Sequence, residues 1–146
     1  MGGCACARGQ VITMGIEVEL QRSLFARLQS VSGINGVYDT APQAADGGSS
    51  APFPYVTMGR AFFSRSDTWG NKGFSAQMRI HTFCRGGAML ECKTIQGRIY
   101  AALHEAEMSV PGFNNISLLR EDSDCFADQD GKIHGVCEYR ALIESA

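Results

Sequence analysis

The chain has 146 residues, 45% of them hydrophobic and 19% charged, with a formal net charge of −2. That length and apolar content suit one domain with a real core. The near-neutral balance leaves no basic footprint for gripping nucleic acid, no apolar run reaches the roughly 20 residues of a membrane helix, and the start MGGCACARGQVITMG lacks the charge and apolar middle of a signal peptide. The expectation is a soluble protein made in a cytoplasm.

Residues 1–14 are small, glycine-rich and unperiodic, which reads as an extended arm tied to a partner subunit, with one domain following over 15–146. Ile16 to Val31 carries a helical stripe of Leu20, Leu24, Leu28 and Val31, with Phe25 beside it. Glu17 and Glu19 in the first turn suit the helix dipole, and Ser32-Gly33 ends the helix. Val37-Tyr38-Asp39 is a possible short strand. The stretch TAPQAADGGSSAPFP, from Thr40 to Pro54, is too rich in Pro, Gly and Ser for regular structure. A loop this long is either a working part or a floppy surface segment.

Tyr55 to Ser64 alternates as a strand, with a break near Gly59 that suits a bulge. Ser66 to Lys72 is a turn holding Trp69, the single tryptophan, which either anchors an interface or packs back on its own domain. In the next unit, Phe74, Ala76, Met78 and Ile80 lie on one side of a strand and Ser75, Gln77, Arg79 and His81 on the other. After Gly86-Gly87 the period changes, and Cys92, Ile95, Ile99, Ala102, Leu103 and Ala106 recur at helical spacing. Val110-Pro111-Gly112 stops that helix. Phe113 to Phe126 is a weaker strand, Asp128 to Gly131 a hairpin turn, and Ile133 to Ile143 a cleanly amphipathic last strand. The order α-β-β-β-α-β-β predicts a two-layer α+β sandwich: two helices on an about four-stranded, mostly antiparallel sheet.

Catalytic patterns are missing. There is no phosphate-binding glycine motif. His81 and Cys84 sit three apart on a strand and point to opposite faces. His104 occupies an exposed helical position and His134 the polar side of the last strand, which suits surface histidines. Asp122, Asp124, Asp128 and Asp130 do not follow the order of a calcium loop, and a solvated acidic turn is the simpler reading. The six cysteines, Cys4, Cys6, Cys84, Cys92, Cys125 and Cys137, form no paired zinc knuckles, so most read as small buried hydrophobes. No catalytic residue, cofactor or metal site is predicted, and the chain reads as no enzyme.

One resemblance covers Gly15 to Glu144. LQRSLFARLQS (Leu20–Ser30), GVYDTAP (Gly36–Pro42), FPYVTMG (Phe53–Gly59), the Thr68-Trp69 turn, the segment His81–Met108 and DCFADQDGKIHGVCEYRALIE (Asp124–Glu144) occur in the order of a known pattern. Together they resemble the tail completion, or tail terminator, family of long-tailed bacteriophages and gene transfer agents. Residues 1–14 and the cysteine enrichment depart from it. The resemblance implies a structural virion protein, assembled in the host cytoplasm, that forms a ring, expected to be a hexamer, on the head-proximal end of the tail tube. Its implied partners are itself, the tail tube protein and the head-side connector, with DNA only as passing cargo and no membrane.

On that reading the candidate interface residues are Cys4, Cys6, Pro42, Phe53 and Trp69, on the arm, the long loop and the turn. Cys4 and Cys6 are candidates for cross-linking ring neighbours in an oxidising exterior. Cys125 and Cys137 are a candidate disulfide if their hairpin centres on Gly131; a register two residues different separates them. The competing classes are a cytosolic α+β binding or assembly-factor domain that is not retained in the particle, and a thiol enzyme.

Overall fold

The computed structural model describes residues 15–40, 51–65, 67, 73–105, 108, 110, 112–129 and 131–145, with the side chains of 114–116 and 145 left aside. The arm at 1–14, the loop residues 41–50 and Trp69 lie outside the described residues.

Helix α1 spans Ile16–Gln29 and buries Leu20, Leu24 and Leu28, the stripe its sequence spells out. Its last turn tightens, with Ser30 N–H donating to the Arg27 carbonyl and Val31 N–H to that of Leu28, each at 3.1 Å. Gly33 then turns the chain at φ 90°, where a Cβ would be strained. Five strands follow: β1 (Val37–Tyr38), β2 (Tyr55–Arg65), β3 (Gly73–Cys84), β4 (Phe113–Ala127) and β5 (Ile133–Ser145), with helix α2 (Met89–Leu103) between β3 and β4.

The strands form one sheet in the order β1-β2-β3-β5-β4. All neighbours are antiparallel except β1 and β2, which run parallel with Val37 opposite Val56. The α+β class stands, but the sheet has five strands rather than four. The two-residue β1 earns its place because Val37 is buried in the core while its backbone extends the sheet past β2. The break foreseen at Gly59 is a true irregularity, since the β2–β3 register shifts between Met58 and Ala61.

Both helices contribute to one core on one face of the sheet. Leu20, Leu24 and Leu28 of α1 and Cys92, Ile95, Ile99 and Leu103 of α2 join Ala76, Met78, Ile80 and Cys84 of β3 and Ile133, Cys137, Tyr139, Ala141 and Ile143 of β5. Period two in the strands and a stripe of three to four in the helices are therefore two halves of one apolar layer.

Helix α2 stops short of Ala106. His104 leaves it at φ −67° and ψ 124°, and Glu105 N–H donates to the Leu118 carbonyl at 2.7 Å. His104 is thus not an exposed helical residue. It is half-buried, stacked on Tyr100 with ring centres 4.4 Å apart, and its Nδ1 accepts the Arg120 N–H at 3.0 Å. Capture by β4 outcompetes one more helical turn.

The last hairpin also corrects an expectation. Its turn closes with Asp128 N–H to the Lys132 carbonyl at 2.8 Å and Gly131 N–H to the Asp128 carbonyl at 3.0 Å, with Gly131 at φ 80°. Ala127 pairs with Ile133, so the loop centres one position before Gly131. Cys125 consequently faces Gly135, Cys137 faces Ser123, and both thiols are free. The disulfide between these two cysteines is not formed, because a one-position change in the loop centre moves partners by two residues.

Candidate interaction face

The side of the sheet away from the helices carries a row of rings. Register places Tyr55 opposite Phe83, Phe83 opposite His134 and His134 opposite Phe126. Their ring centres follow at 4.9 Å, 4.4 Å and 5.0 Å. Tyr38 of β1 extends the row at 6.0 Å from Tyr55. Rings in direct cross-strand register stack because facing positions bring side chains within about 5.5 Å. The row crosses all five strands, and none of its members belongs to the helix-side core.

Phe53, a predicted interface residue, caps this row. Its ring lies 5.3 Å from Tyr55, and Lys132 Nζ stands 5.6 Å from its centre. Asn35 holds the segment from below: its Nδ2 donates to the Phe53 carbonyl at 2.6 Å and its backbone N–H to the Pro54 carbonyl at 2.8 Å. Phe53 is therefore a half-buried, fixed edge of the face rather than a freely projecting anchor. The other predicted interface residues, Cys4, Cys6, Pro42 and Trp69, fall outside the described residues.

One step along the strands, His81 meets His134, with Nδ1 to Nε2 at 2.9 Å. The missing side chain at Gly59 makes room for this ring, since a Cβ there would come within 2.6 Å of His81 Nε2. Burial pushes both imidazoles below the ordinary histidine value; for His81 the neighbouring His134 and Arg79 add to the effect, and for His134 the nearby Asp128 opposes it. The neutral pair shares one proton between the facing nitrogens. Farther along, Arg79 pairs with Glu138 at 3.7 Å and Arg140 with Glu121 at 3.3 Å, ion pairs exposed enough to add little stability. Beyond the row, Phe62 (57% exposed) and Leu142 (43%) stand among polar neighbours such as Gln77 and Ser75, and Phe126 at the row's end is 39% exposed.

Among the described residues no group of three or more His, Cys, Asp or Glu converges to hold a metal ion. Among them, too, no helix is long and apolar enough to cross a membrane. His81 and Cys84 point to opposite faces as expected: one joins the ring row, the other is buried in the core. Sequence reading assigned His81 and His134 to polar sides but not to each other. The available signal was the symmetry of Phe126 and His134 about the turn, which becomes a contact only once the register is known.

A family model described as Tail completion protein gp17 matches residues 22–144. Among solved structures, a chain described as part of the virion of a native gene transfer agent (GTA) particle aligns with a TM-score of 0.73 at 15% identity, covering 91% of this chain and 100% of that one. At that identity the likeness is one of fold. No curated protein matches the chain.

Proposed function

Because this chain belongs to the tail completion protein gp17 family, we propose that it is a structural virion protein that closes the head-proximal end of a phage-like tail tube. In this reading copies form a ring, a hexamer, that stops tube polymerisation and presents the surface to which the head-side connector joins. The observation that carries the proposal is the family match over residues 22–144.

The geometry supports it. A sheet with its core on one face leaves the opposite face available for contacts between different surfaces of neighbouring copies, the kind of contact that closes a ring. That face is stiffened by its row of stacked rings and carries exposed Phe62, Leu142 and Phe126. The sheet and its hairpins dock on the last tube ring, while the arm at 1–14, the loop at 40–54 and the turn with Trp69 reach neighbours or the connector. A net charge of −2 lets DNA pass as cargo without being gripped. The protein works by position and shape, and it has no enzymatic step to perform.

The test is deletion of residues 41–50, which spares the buried Ala51. The variant is expected to fold as a monomer yet leave particles with overlong tails or unjoined heads under the electron microscope. Normal particles from that variant, or intact particles that lack the protein, would overturn the reading.

A further inference from the structure

Three cysteines from β3, α2 and β4 (Cys84, Cys92 and Cys125) gather beneath helix α2. Cys92, on its first turn, points at Gly135 of β5: a Cβ built there would lie 2.7 Å from Cys92 Sγ. Gly135 in turn faces Cys125 across the β4–β5 ladder. The missing side chain at 135 is the gap through which the Cys92 thiol reaches β4. Cys92 and Cys84, the last residue of β3, share one buried cluster, and Cys125 packs against it. Gln96, one helical turn later, clamps this spot by donating from Nε2 to the Asp124 carbonyl at 2.9 Å.

The three thiols differ in access. Cys84 and Cys92 are fully buried and Cys125 is half-buried, and all are free. Cys125 lines a surface groove between α2 and β4, with Lys93 and Arg120 in its walls. These two cations outnumber the Asp124 carboxylate that also lines the groove, which suits a small anionic disulfide such as oxidised glutathione.

We propose that Cys125 and Cys92 are a latent disulfide site, with Cys125 meeting the oxidant and Cys92 closing the bond. The Cys125 thiolate attacks one sulfur of a small disulfide and expels one small thiolate, which takes up a proton. The resulting mixed disulfide is attacked at Cys125 Sγ by the Cys92 thiolate, its proton having passed to solvent, and the second small thiol leaves. The two protein thiols give up two electrons and two protons, and the small disulfide becomes two thiols. Cys84 and Cys92 are out of solvent reach while Cys125 opens on the groove, so the first attack falls to Cys125. The product pins α2 to the last hairpin. Cys84 stays a thiol, since oxidant cannot reach it.

The test uses the full chain treated with oxidised glutathione, then alkylated in denaturant and cut with trypsin without reduction. Lys and Arg positions put the four domain cysteines on separate peptides, 80–85, 86–93, 121–132 and 133–140. The expected product links 86–93 to 121–132, with Cys84 and Cys137 alkylated and a Tm raised by roughly 5 °C or more until reductant is added. The Cys4→Ser/Cys6→Ser variant is expected to give the same link, and Cys92→Ser to stop with glutathione held on Cys125. A link from 86–93 to 80–85, a link from 121–132 to 133–140, or unlinked Cys92 and Cys125 after full treatment would overturn the proposal.

Discussion

His81 and His134, 53 positions apart in sequence, bring Nδ1 and Nε2 to 2.9 Å on the open face of the sheet. Burial lowers both from the ordinary value, so the unfolded chain binds protons more readily than the folded one. Their contribution is fully present well above about pH 6.5 and is lost as pH falls below it. The chain should therefore be less stable to urea near pH ~5.5 than near pH ~7.5. The His81→Gln/His134→Gln variant should show a flatter dependence over that window, and an unchanged slope would remove the pair from the account.

Gly135 is required by packing rather than by backbone conformation. A Cβ there would lie 2.4 Å from Gln96 Nε2 and 2.7 Å from Cys92 Sγ. Gly135→Ala should destabilise by about 1–3 kcal/mol through overpacking. Adding Cys92→Ala should recover part of that loss in a double-mutant cycle read by chemical denaturation. Strict additivity would mean the clash lies elsewhere.

Thr82 sits between Val56 and Gly135 in the ladder, fully buried, and its hydroxyl finds no partner among the described residues. An unsatisfied buried hydroxyl costs energy that a methyl does not. Thr82→Val should stabilise the fold by about 1 kcal/mol, checked by the denaturant midpoint at constant m-value.

Core and open face should separate cleanly by mutation. Leu28 and Ile99 are fully buried, so Leu28→Ala or Ile99→Ala should cost about 2–5 kcal/mol. Phe62 and Leu142 are 57% and 43% exposed, and Phe62→Ser with Leu142→Ser should leave stability within about 0.5 kcal/mol each. If the open face joins copies, the same two changes should abolish rings in analytical ultracentrifugation and electron microscopy. Rings of unchanged size would move the interface to another surface.

Most of the fold was legible because its signals are local. The Leu20, Leu24, Leu28 stripe needs only neighbours three and four residues away, and Ile133 to Ile143 needs only alternation. The end of α2 was misjudged because Leu118, remote in sequence, takes the Glu105 N–H that another helical turn would have used. The short β1 was open to doubt for a similar reason, since Val37-Tyr38 is a strand only by virtue of Val56 and Thr57. The candidate face was scarcely legible: only Phe53 among the described residues was foreseen on it, as an interface residue.

The sequence by itself determined the kind of each element, the residues each turns inward and, through motif order, the family. Periodicity is a property of the chain read a few residues at a time, and it survives without coordinates. Tertiary structure decided the register. In the last hairpin, a loop centred one position earlier set Cys125 against Gly135 instead of Cys137. That single shift placed His134 beside Phe126 and set Cys125 opposite the glycine through which Cys92 reaches β4. Side-chain period in a strand is two, so alternation is blind to a slip of two residues, and only long-range pairing chooses between the alternatives.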